Sequence, residues 1–304
     1  MIKVRVPATS ANMGPGFDSI GMAVELYNEF AFREINDGLN FNGIPEEFCN
    51  EDNIIYKAMK YCFNKAGYVI NGLEISILKQ DIPISRGLGS SSSCIIGGLV
   101  GANEILGGKF SKDELLEMAV EIEGHPDNVA PALFGGIVVA IIENNKTVYN
   151  KIEIKDKVKF ITIIPDFRLS TEEARKVLPK QISRQDGIYN IGRAALMISC
   201  FATDRYDLIR SACNDALHQN YRKELIPHFD DVYNKCYELG ALGCYLSGAG
   251  PTIMSIIDNG ANGFSNNIKQ YLEDHSIKWG VLELQADNKG AFVIKGDCRW
   301  KEIT

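Results

Sequence analysis

The stretch PISRGLGSSSSCIIGG, residues 83–98, places Gly-x-Gly directly before four consecutive serines and a small apolar run. It follows a strand-like segment, LEISILKQ (residues 73–80), and the apolar run after it is compatible with a helix. A glycine-rich turn between a strand and a helix points several backbone N–H groups at one place, and the helix start adds partial positive charge. This combination favours phosphate binding, and serine hydroxyls can meet phosphate oxygens or a magnesium ion.

The alternative for these serines is an ordinary helix cap. Serine is a favoured N-cap residue, but this role explains one serine and not four in a row. The stretch is not a Walker A loop, since no Lys-Ser or Lys-Thr follows the glycines. It also departs from G-x-G-x-x-G, because Ser92 stands where the third glycine would be. Taken alone, the stretch leaves nucleotide binding and a helix cap both open.

Composition excludes several classes of protein. The chain has 304 residues, 45% of them hydrophobic, which is enough for one large domain or two closely associated lobes. Its net charge of −7 argues against a nucleic-acid surface or an anionic-membrane patch, because both need clustered Lys and Arg. MIKVRVPATSA does not read as a secretory signal, and no apolar run approaches the roughly 20 residues of a membrane span. Eight cysteines without a C-x-x-C pair predict reduced thiols in a cytoplasmic protein.

Strand and helix patterns alternate along the chain. Residues 2–7 alternate apolar and basic side chains as a half-buried strand does, and residues 53–67 carry apolar side chains at helical spacing. Ser111 and Glu114 form a capping box that predicts a helix start. The polar segment at residues 150–158 is the candidate boundary between lobes, and the segments beyond it predict a second α+β layer.

Two further glycine-bearing turns change the interpretation of the opening stretch. They are PATSANMGPGFD (residues 7–18) and LSGAGPT (residues 246–252). Taken in order with P-x-x-x-G-L-G-S-S, they resemble the three motifs of the GHMP kinases, which phosphorylate small molecules. The resemblance is closest to the homoserine kinase family and covers nearly the whole chain, including EGHPDNVAPALFGG (residues 123–136) and STEEARKVLP (residues 170–179).

The resemblance implies an α+β fold with two GHMP kinase-like lobes. A β-α-β nucleotide-binding lobe would span residues 1–154, and a ferredoxin-like α+β lobe would span residues 155–304. The implied activity is phosphorylation of the side-chain hydroxyl of L-homoserine to O-phospho-L-homoserine, a step toward threonine, with ATP and Mg²⁺, by a cytoplasmic homodimer. Two alternatives stay open: the same fold acting on another alcohol such as mevalonate or a sugar, and a catalytically silent relative that binds a ligand or partner.

The resemblance also assigns the nucleotide site. The residues expected to contact ATP are Asn53, Pro83, Ile84, Ser85, Arg86, Gly87, Leu88, Gly89, Ser90, Ser91, Ser92 and Ser93. Ser90 and Glu123 resemble the magnesium ligands of the family, and a hydroxyl with a carboxylate suits an ion that takes few protein ligands. Without the resemblance, Glu123 reads as a solvated helix-terminal acid. Asn53, assigned to the adenine pocket, also reads as an N-cap.

The acceptor of the family carries an α-carboxylate and an α-ammonium. Arg175 and Arg222 match the arginines expected at the carboxylate, where the planar guanidinium gives paired charge-assisted hydrogen bonds. Asp18 fits the ammonium. The remaining members of the predicted polar cage are Asn12, His125 and Asp127.

Catalysis is predicted to use no strong general base. Related kinases of other substrate classes carry an aspartate where the resemblance places Asn128, and an amide cannot take a proton at neutral pH. Phosphoryl transfer needs little activation of the nucleophile, so we predict direct in-line transfer, with Asn128 orienting the hydroxyl and Asp127 as the reserve candidate for a base. His218, His228 and His275 are expected to serve packing or solvent faces.

Overall fold

Two β-sheets packed against helices organise the chain. The computed structural model describes residues 1–295 and 299–301. Its strands are β1 (Ile2–Ala11), β2 (Ile20–Ile35), β3 (Gly38–Asn42), β4 (Gly72–Gln80), β5 (Ile137–Glu143), β6 (Lys146–Ile152), β7 (Val158–Ile164), β8 (Gly243–Leu246), β9 (Ile253–Asp258), β10 (Gly280–Leu284), β11 (Phe292–Lys295) and β12 (Arg299–Lys301). Its helices are α1 (Ile54–Ala66), α2 (Ser90–Ile105), α3 (Lys112–Glu123), α4 (Pro126–Phe134), α5 (Thr171–Lys176), α6 (Arg184–Thr203), α7 (Ile209–Ala212), α8 (Gln219–Arg222), α9 (Phe229–Glu238) and α10 (Phe264–Asp274).

The first sheet is built around the long antiparallel pair β1 and β2. Its strand order is β12-β11-β1-β2-β4-β3, and β5 pairs with β2 and then with β6. The pairing of β3 with β4 is parallel, whereas β1 runs antiparallel to both of its neighbours. The connection between β1 and β2, residues 12–19, carries the first glycine motif, so the hairpin delivers that motif to one end of the sheet.

Helices α1 to α4 share a hydrophobic core with the first sheet. Helix α2 lies so close to β2 that its glycines have no room for a side chain. A methyl group at Gly97 would lie 2.6 Å from the ring of Phe30, and one at Gly101 would overlap the ring of Phe32. The close approach of β2 therefore accounts for glycine at these two positions of the helix.

The second sheet has the ferredoxin-like arrangement that the resemblance implies. Its strand order is β10-β7-β9-β8, and all three pairings are antiparallel. Helices α5 to α9 connect β7 to β8, and α10 connects β9 to β10. Helices α9 and α10 pack on the sheet through a core of their own.

The chain returns to the first sheet after β10, within the second of the two lobes predicted at residues 1–154 and 155–304. β11 pairs with β1, and Val24 forms an isolated bridge with Ala286. The return covers an edge of β1 that would otherwise expose unpaired backbone groups. Residues 296–298 and 302–304 of the predicted second lobe lie outside the described residues. A third buried cluster, which includes Met22 and Tyr245, joins the two sheets into a continuous interior.

Local sequence signals match the observed helix ends. Asn53 caps α1 by accepting hydrogen bonds from the backbone of Ile55 and Tyr56. Ser111 and Glu114 form the predicted capping box at the start of α3. No helix in the described ranges is long and apolar enough to cross a membrane. The seven cysteines within those ranges are free thiols, and Cys298 lies outside them.

Candidate active site

A cavity of about 430 Å³ lies where the first glycine motif, the serine-rich stretch and the turn between β8 and β9 converge. The name phosphate loop is used below for residues 83–93. The phosphate loop and the start of α2 form one wall of the cavity. The C-terminal end of α3 and the start of α4 form the adjacent wall. Residues of α5 and α8 reach the cavity from the second lobe. All three glycine motifs therefore contribute to one site.

The phosphate loop is held by contacts from the second lobe. Gly87 has a φ of +75°, and a methyl group there would overlap the carbonyl oxygen of Ser247. The Ser247 hydroxyl donates to the Gly87 carbonyl at 2.6 Å. Arg86 donates from Nε to the carbonyl of Pro165 at 2.9 Å and from Nη2 to that of Asp166 at 2.8 Å. Tertiary contacts thus fix the shape of the loop. The backbone conformation at Gly87 suits glycine, because any side chain there would be strained.

The start of α2 leaves backbone donors available. Its N-cap is Gly89, which has no side chain to satisfy the first N–H groups of the helix. Unsatisfied N–H groups at a helix start attract anions. Of the twelve residues predicted to contact nucleotide, those lining the cavity are Asn53, Ile84, Ser85, Arg86, Gly87, Gly89, Ser90, Ser91 and Ser92.

Three predicted nucleotide residues do not line the cavity: Pro83, Leu88 and Ser93. Leu88 is buried in the core that joins the lobes. The Ser93 hydroxyl lies one turn into α2, where it donates to the Ser90 carbonyl at 2.8 Å and accepts from Asn28 Nδ2 at 3.0 Å. Asn28 Oδ1 accepts in turn from the backbone of Ile82 at 3.1 Å. Ser93 therefore contributes to the support of the loop rather than to the cavity wall.

Asn53 caps α1 and also lines the cavity, and its place in an adenine pocket stays a prediction. Its Oδ1 caps α1, its Nδ2 donates to the Phe48 carbonyl at 3.0 Å, and the residue lines the cavity. The wall around it is apolar and includes Ile44, Pro45 and Ile77. Such a wall suits the flat face of a heterocyclic base. Sequence patterns did not single out these apolar residues, because they come from separate strands and loops.

Glu123, at the C-terminal end of α3, faces the serines of α2. Its carboxylate accepts from the Ser92 hydroxyl at 3.0 Å and from the Ser91 hydroxyl at 3.3 Å. Ser90, its predicted partner in metal binding, lines the same cavity. The described residues contain no cluster of three or more His, Cys, Asp or Glu side chains that could enclose a metal. An oxygen donor set with few protein ligands fits Mg²⁺, which keeps several waters and is shared with phosphates.

Asp18 and Arg175 form a two-pronged ion pair across the lobes. Arg175 Nη2 lies 2.7 Å from Asp18 Oδ1, and Nη1 lies 3.0 Å from Oδ2. This hydrogen-bonded pairing raises the pKa of Arg175. Asn12 holds the segment, since its Oδ1 accepts from the Asp18 backbone at 3.0 Å and its Nδ2 donates to the Gly248 carbonyl at 3.0 Å. The two residues predicted to bind opposite ends of an acceptor thus bind each other here.

Arg222 is a buried cation that has no carboxylate within ion-pair distance among the described residues. Only 1% of its surface is exposed, yet it lines the cavity. Nε donates to the Ala174 carbonyl at 3.1 Å, and Nη1 donates to the Gly248 carbonyl at 3.0 Å. Burial, together with the charge of Arg175, lowers its pKa to about 10, so it stays charged at neutral pH. A buried guanidinium without a carboxylate in direct contact favours an anionic ligand.

The start of α4 brings the remaining candidates together. His125 Nδ1 lies 2.6 Å from Asp127 Oδ1. Asn128 Oδ1 accepts from the Thr9 hydroxyl at 2.7 Å, and this bond leaves the amide hydrogens of Asn128 for a ligand. His125, Asp127 and Asn128 all line the cavity, as Asp18 does.

Protonation of His125 should make the stability of the protein depend on pH. Its hydrogen bond to Asp127 raises its pKa, although burial acts in the opposite direction. A histidine whose pKa is higher in the folded protein than in the unfolded chain stabilises the fold while it is protonated. This contribution is complete at pH below the ordinary pKa of about 6.5, and it is lost as the pH rises through the folded-state pKa. We expect the free energy of unfolding of His125→Gln to fall below that of the wild type most at pH below about 6.5 and to approach it at higher pH.

Denaturant unfolding of both proteins across this pH range measures the effect. An NMR titration of the His125 ring, assigned with the same variant, measures the pKa directly, and Asp127→Asn should lower it. A pH-independent difference between wild type and His125→Gln would contradict the expectation.

The site contains polar and aromatic residues that the sequence did not reveal. Thr9, on β1, is fully buried and orients Asn128. The ring of Phe17 has Arg175 and Arg222 guanidinium carbons at 5.5 Å and 5.2 Å from its centre. His218 is fully buried, in agreement with the expected packing role, and its ring nitrogens also contact the Gly14 carbonyl and Arg222. Thr9 and Phe17 reach their partners through contacts between residues more than 100 positions apart, which no local spacing signals.

A phosphate loop on a β-α lobe, facing arginines from a ferredoxin-like lobe, defines a small-molecule kinase of the GHMP class. The GHMP kinases N terminal domain model matches residues 53–136, and the GHMP kinases C terminal model matches residues 197–274. The homoserine kinase of Clostridium botulinum (strain Eklund 17B / Type B) is 92% identical over 98% of this chain and 100% of that protein. The chain belongs to the homoserine kinase family of the GHMP kinases and is an enzyme of the kinase class.

Other relatives agree in sequence and in fold. The homoserine kinase of Clostridium beijerinckii is 71% identical over 97% of this chain and 99% of that protein. The crystal structure of homoserine kinase from Cytophaga hutchinsonii, at 29% identity, superposes with a TM-score of 0.87 over 96% of this chain and 97% of that chain. L. major mevalonate kinase in complex with R-mevalonate, at 16% identity, shares the fold with a TM-score of 0.72 over 95% of this chain and 96% of that chain.

Proposed function

We propose that the protein transfers the γ-phosphoryl group of ATP to the side-chain hydroxyl of L-homoserine, as a step toward threonine. The observation that carries the proposal is the buried guanidinium of Arg222, which lacks a carboxylate partner among the described residues and shares a cavity with the phosphate loop and Asp18. An acceptor that brings its own carboxylate supplies the ion-pair partner that Arg222 lacks, and its ammonium can bind the free lone pairs of Asp18. The names of the relatives support the same acceptor.

Recognition of the acceptor follows from the charges in the cavity. The α-carboxylate binds to Arg222 and Arg175, where planar guanidinium groups match its two oxygens. The α-ammonium binds to Asp18, whose carboxylate can accept about four hydrogen bonds and uses two on Arg175. Mevalonate carries a carboxylate but no ammonium, and a sugar carries neither, so Asp18 distinguishes these acceptors.

Transfer is in line and needs no strong base. The acceptor oxygen bonds to the γ-phosphorus as the bond from that phosphorus to the bridging oxygen of ADP breaks, and the hydroxyl proton leaves to phosphate or solvent. Asn128 orients the hydroxyl with its amide hydrogens, since Thr9 occupies its Oδ1. Asp127 stays the reserve candidate for a base, although one of its oxygens is bonded to His125. Alignment and charge neutralisation account for the catalysis.

The phosphate loop and the start of α2 bind the phosphates through backbone N–H groups. Ser90 and Glu123 would hold Mg²⁺, which supplies neutralisation of the phosphate charge when bound. The hydrogen bonds from Ser91 and Ser92 hold the Glu123 carboxylate at the cavity before any ion arrives.

Glu123→Ala is expected to lower kcat at limiting Mg²⁺, because a ligand of the ion is lost. We expect a reduction of at least about tenfold that excess Mg²⁺ partly restores, in line with the 10- to 100-fold effects seen at metal sites. Mg²⁺ titrations of kcat measure this. Glu121→Ala is the matched control, since Glu121 lies on the same helix but pairs with Lys65 outside the cavity. Identical Mg²⁺ dependence of Glu123→Ala and wild type would remove Glu123 from the metal site.

The direct test of acceptor class is ADP release from Mg-ATP with single alcohols. L-homoserine, D-homoserine, L-serine, mevalonate, galactose and shikimate are offered separately, and each product is identified by mass. We expect a strong preference for L-homoserine. Turnover with a different acceptor would keep the kinase and overturn the acceptor assignment, and ATP binding without turnover would favour a silent relative.

We further propose that the protein works as a cytoplasmic homodimer. This proposal is supported by the family resemblance and by the composition of the chain. Sedimentation of the purified protein across a concentration series tests the dimer, and a single species at the monomer mass would overturn it.

A further inference from the structure

His218 lies behind Arg222, outside the cavity wall. It is fully buried and precedes the short helix α8, at whose end Arg222 stands. Its backbone N–H donates to Asp215 Oδ2 at 2.8 Å, and the same carboxylate accepts from the N–H groups of Leu217 and Gln219. Asp215 therefore anchors the backbone that carries both His218 and Arg222.

The two ring nitrogens of His218 have different partners, and these partners fix its tautomer. Nε2 lies 2.7 Å from the carbonyl oxygen of Gly14, which can only accept, so Nε2 carries the hydrogen. Nδ1 lies 3.2 Å from Arg222 Nη1, and a guanidinium can only donate, so Nδ1 is the acceptor. Burial lowers the pKa of His218 and agrees with a neutral ring. The ring also stacks on Phe17, with centroids 5.2 Å apart.

These contacts account for the orientation of the Arg222 guanidinium. The hydrogen on Nε binds the Ala174 carbonyl, and the two on Nη1 bind the Gly248 carbonyl and His218 Nδ1. The two hydrogens on Nη2 have no hydrogen-bond acceptor among the described residues. Because three N–H groups of the guanidinium are already bonded, Nη2 remains free to donate hydrogen bonds to the carboxylate of a ligand. His218 is the one of the three partners that a substitution can remove, because the other two are backbone carbonyls.

We propose that His218 is a positioning residue for the acceptor: its unprotonated Nδ1 holds Arg222 with Nη2 available to the α-carboxylate, and it thereby sets the preference for an amino acid over an amino alcohol. The proposal rests on the proposed function. It concerns a residue that touches neither substrate and whose effect on the acceptor carboxylate passes through Arg222.

Two variants separate positioning from packing. His218→Leu keeps the approximate volume and removes both polar contacts, whereas His218→Gln keeps one acceptor and one donor. We expect His218→Leu to raise the KM for L-homoserine roughly 10- to 100-fold, because hydrogen bonds to charged groups contribute about 1.5–3 kcal/mol. The KM for ATP should stay within about twofold. His218→Gln should recover most of the loss.

The inhibition constant of 3-amino-1-propanol against L-homoserine gives the second readout. This alcohol lacks the carboxylate, so its inhibition constant should be nearly the same in wild type and His218→Leu. An equal loss for both ligands, an unchanged KM for L-homoserine, or a glutamine variant no better than leucine would each overturn the proposal. A wild-type protein that does not phosphorylate L-homoserine would instead overturn the proposed function.

A measurement on the wild type covers the case in which His218→Leu does not fold. Long-range ¹H–¹⁵N spectra of the histidine rings report the tautomer, with the His218 signals assigned by His218→Gln. We expect hydrogen on Nε2, and a change in the Nδ1 shift when L-homoserine is added. Hydrogen on Nδ1 would contradict the proposal.

Discussion

Arg222→Ala is expected to lower kcat/KM for L-homoserine by roughly 10²- to 10³-fold, mainly through KM. Truncating one partner of a buried, hydrogen-bonded charge pair costs about 2–5 kcal/mol, and here the partner is the carboxylate of the acceptor. The side chain is almost fully buried and its fixed bonds leave Nη2 for that carboxylate. Steady-state kinetics with each substrate varied in turn measure the effect.

Two comparisons show whether the loss concerns the acceptor. The KM for ATP should change little, because Arg222 comes from the second lobe and the phosphate loop from the first. Arg222→Lys keeps the charge but not the planar pair of donors, so we expect an intermediate loss. Wild-type kinetics in Arg222→Ala, or an equal loss for ATP and L-homoserine, would remove Arg222 from the acceptor site.

Gly87→Ala is expected to lower kcat/KM for ATP by about 10²-fold or more. A methyl group at Gly87 would overlap the Ser247 carbonyl oxygen and lie 2.9 Å from that of Gly250, and both atoms belong to backbone that cannot turn aside. The phosphate loop must shift instead, and a misplacement of about 1 Å can cost on the order of 10²-fold in rate. Kinetics with ATP varied at saturating L-homoserine measure the loss.

Gly107→Ala is the matched control for this variant. Gly107 has the same φ of +75° as Gly87, but a methyl group there would meet nothing within 4 Å. Its substitution therefore carries the backbone strain, on the order of 1 kcal/mol of stability, without the displacement. We expect Gly107→Ala to retain near wild-type kinetics. If both variants lose activity equally, strain and not loop displacement is the cause.

Much of the fold could be predicted from local patterns in the sequence. The capping box of Ser111 and Glu114 and the cap of Asn53 are found where the sequence places them, since caps depend on residues two or three positions apart. The order of the second sheet came from family resemblance and not from spacing. The return of β11 to the first sheet was missed, because an edge pairing between residues nearly 290 positions apart leaves no local pattern.

The candidate site, like the fold, could be predicted from the sequence only in part. Glycine motifs predicted the walls of the cavity, and resemblance supplied Arg175, Arg222 and Asp18, which line it. Sequence could not show that Asp18 and Arg175 bind each other in this structure, nor that His218 lies against Arg222. The contact between Asp18 and Arg175 depends on how the lobes meet. The contact between His218 and Arg222 has helical i,i+4 spacing, but that spacing alone does not distinguish a polar contact from ordinary packing.

We propose that the cavity directs the side-chain hydroxyl of L-homoserine, and not its carboxylate, to the γ-phosphorus of ATP. The measurement that tests it most directly is the position of the transferred group in the product, made with L-homoserine labelled with ¹⁸O in the side-chain hydroxyl. We expect a phosphate ester in ³¹P NMR with the label retained in the carbon–oxygen–phosphorus bridge. Phosphate on the carboxylate, or ADP formed with no phosphorylated amino acid, would contradict it.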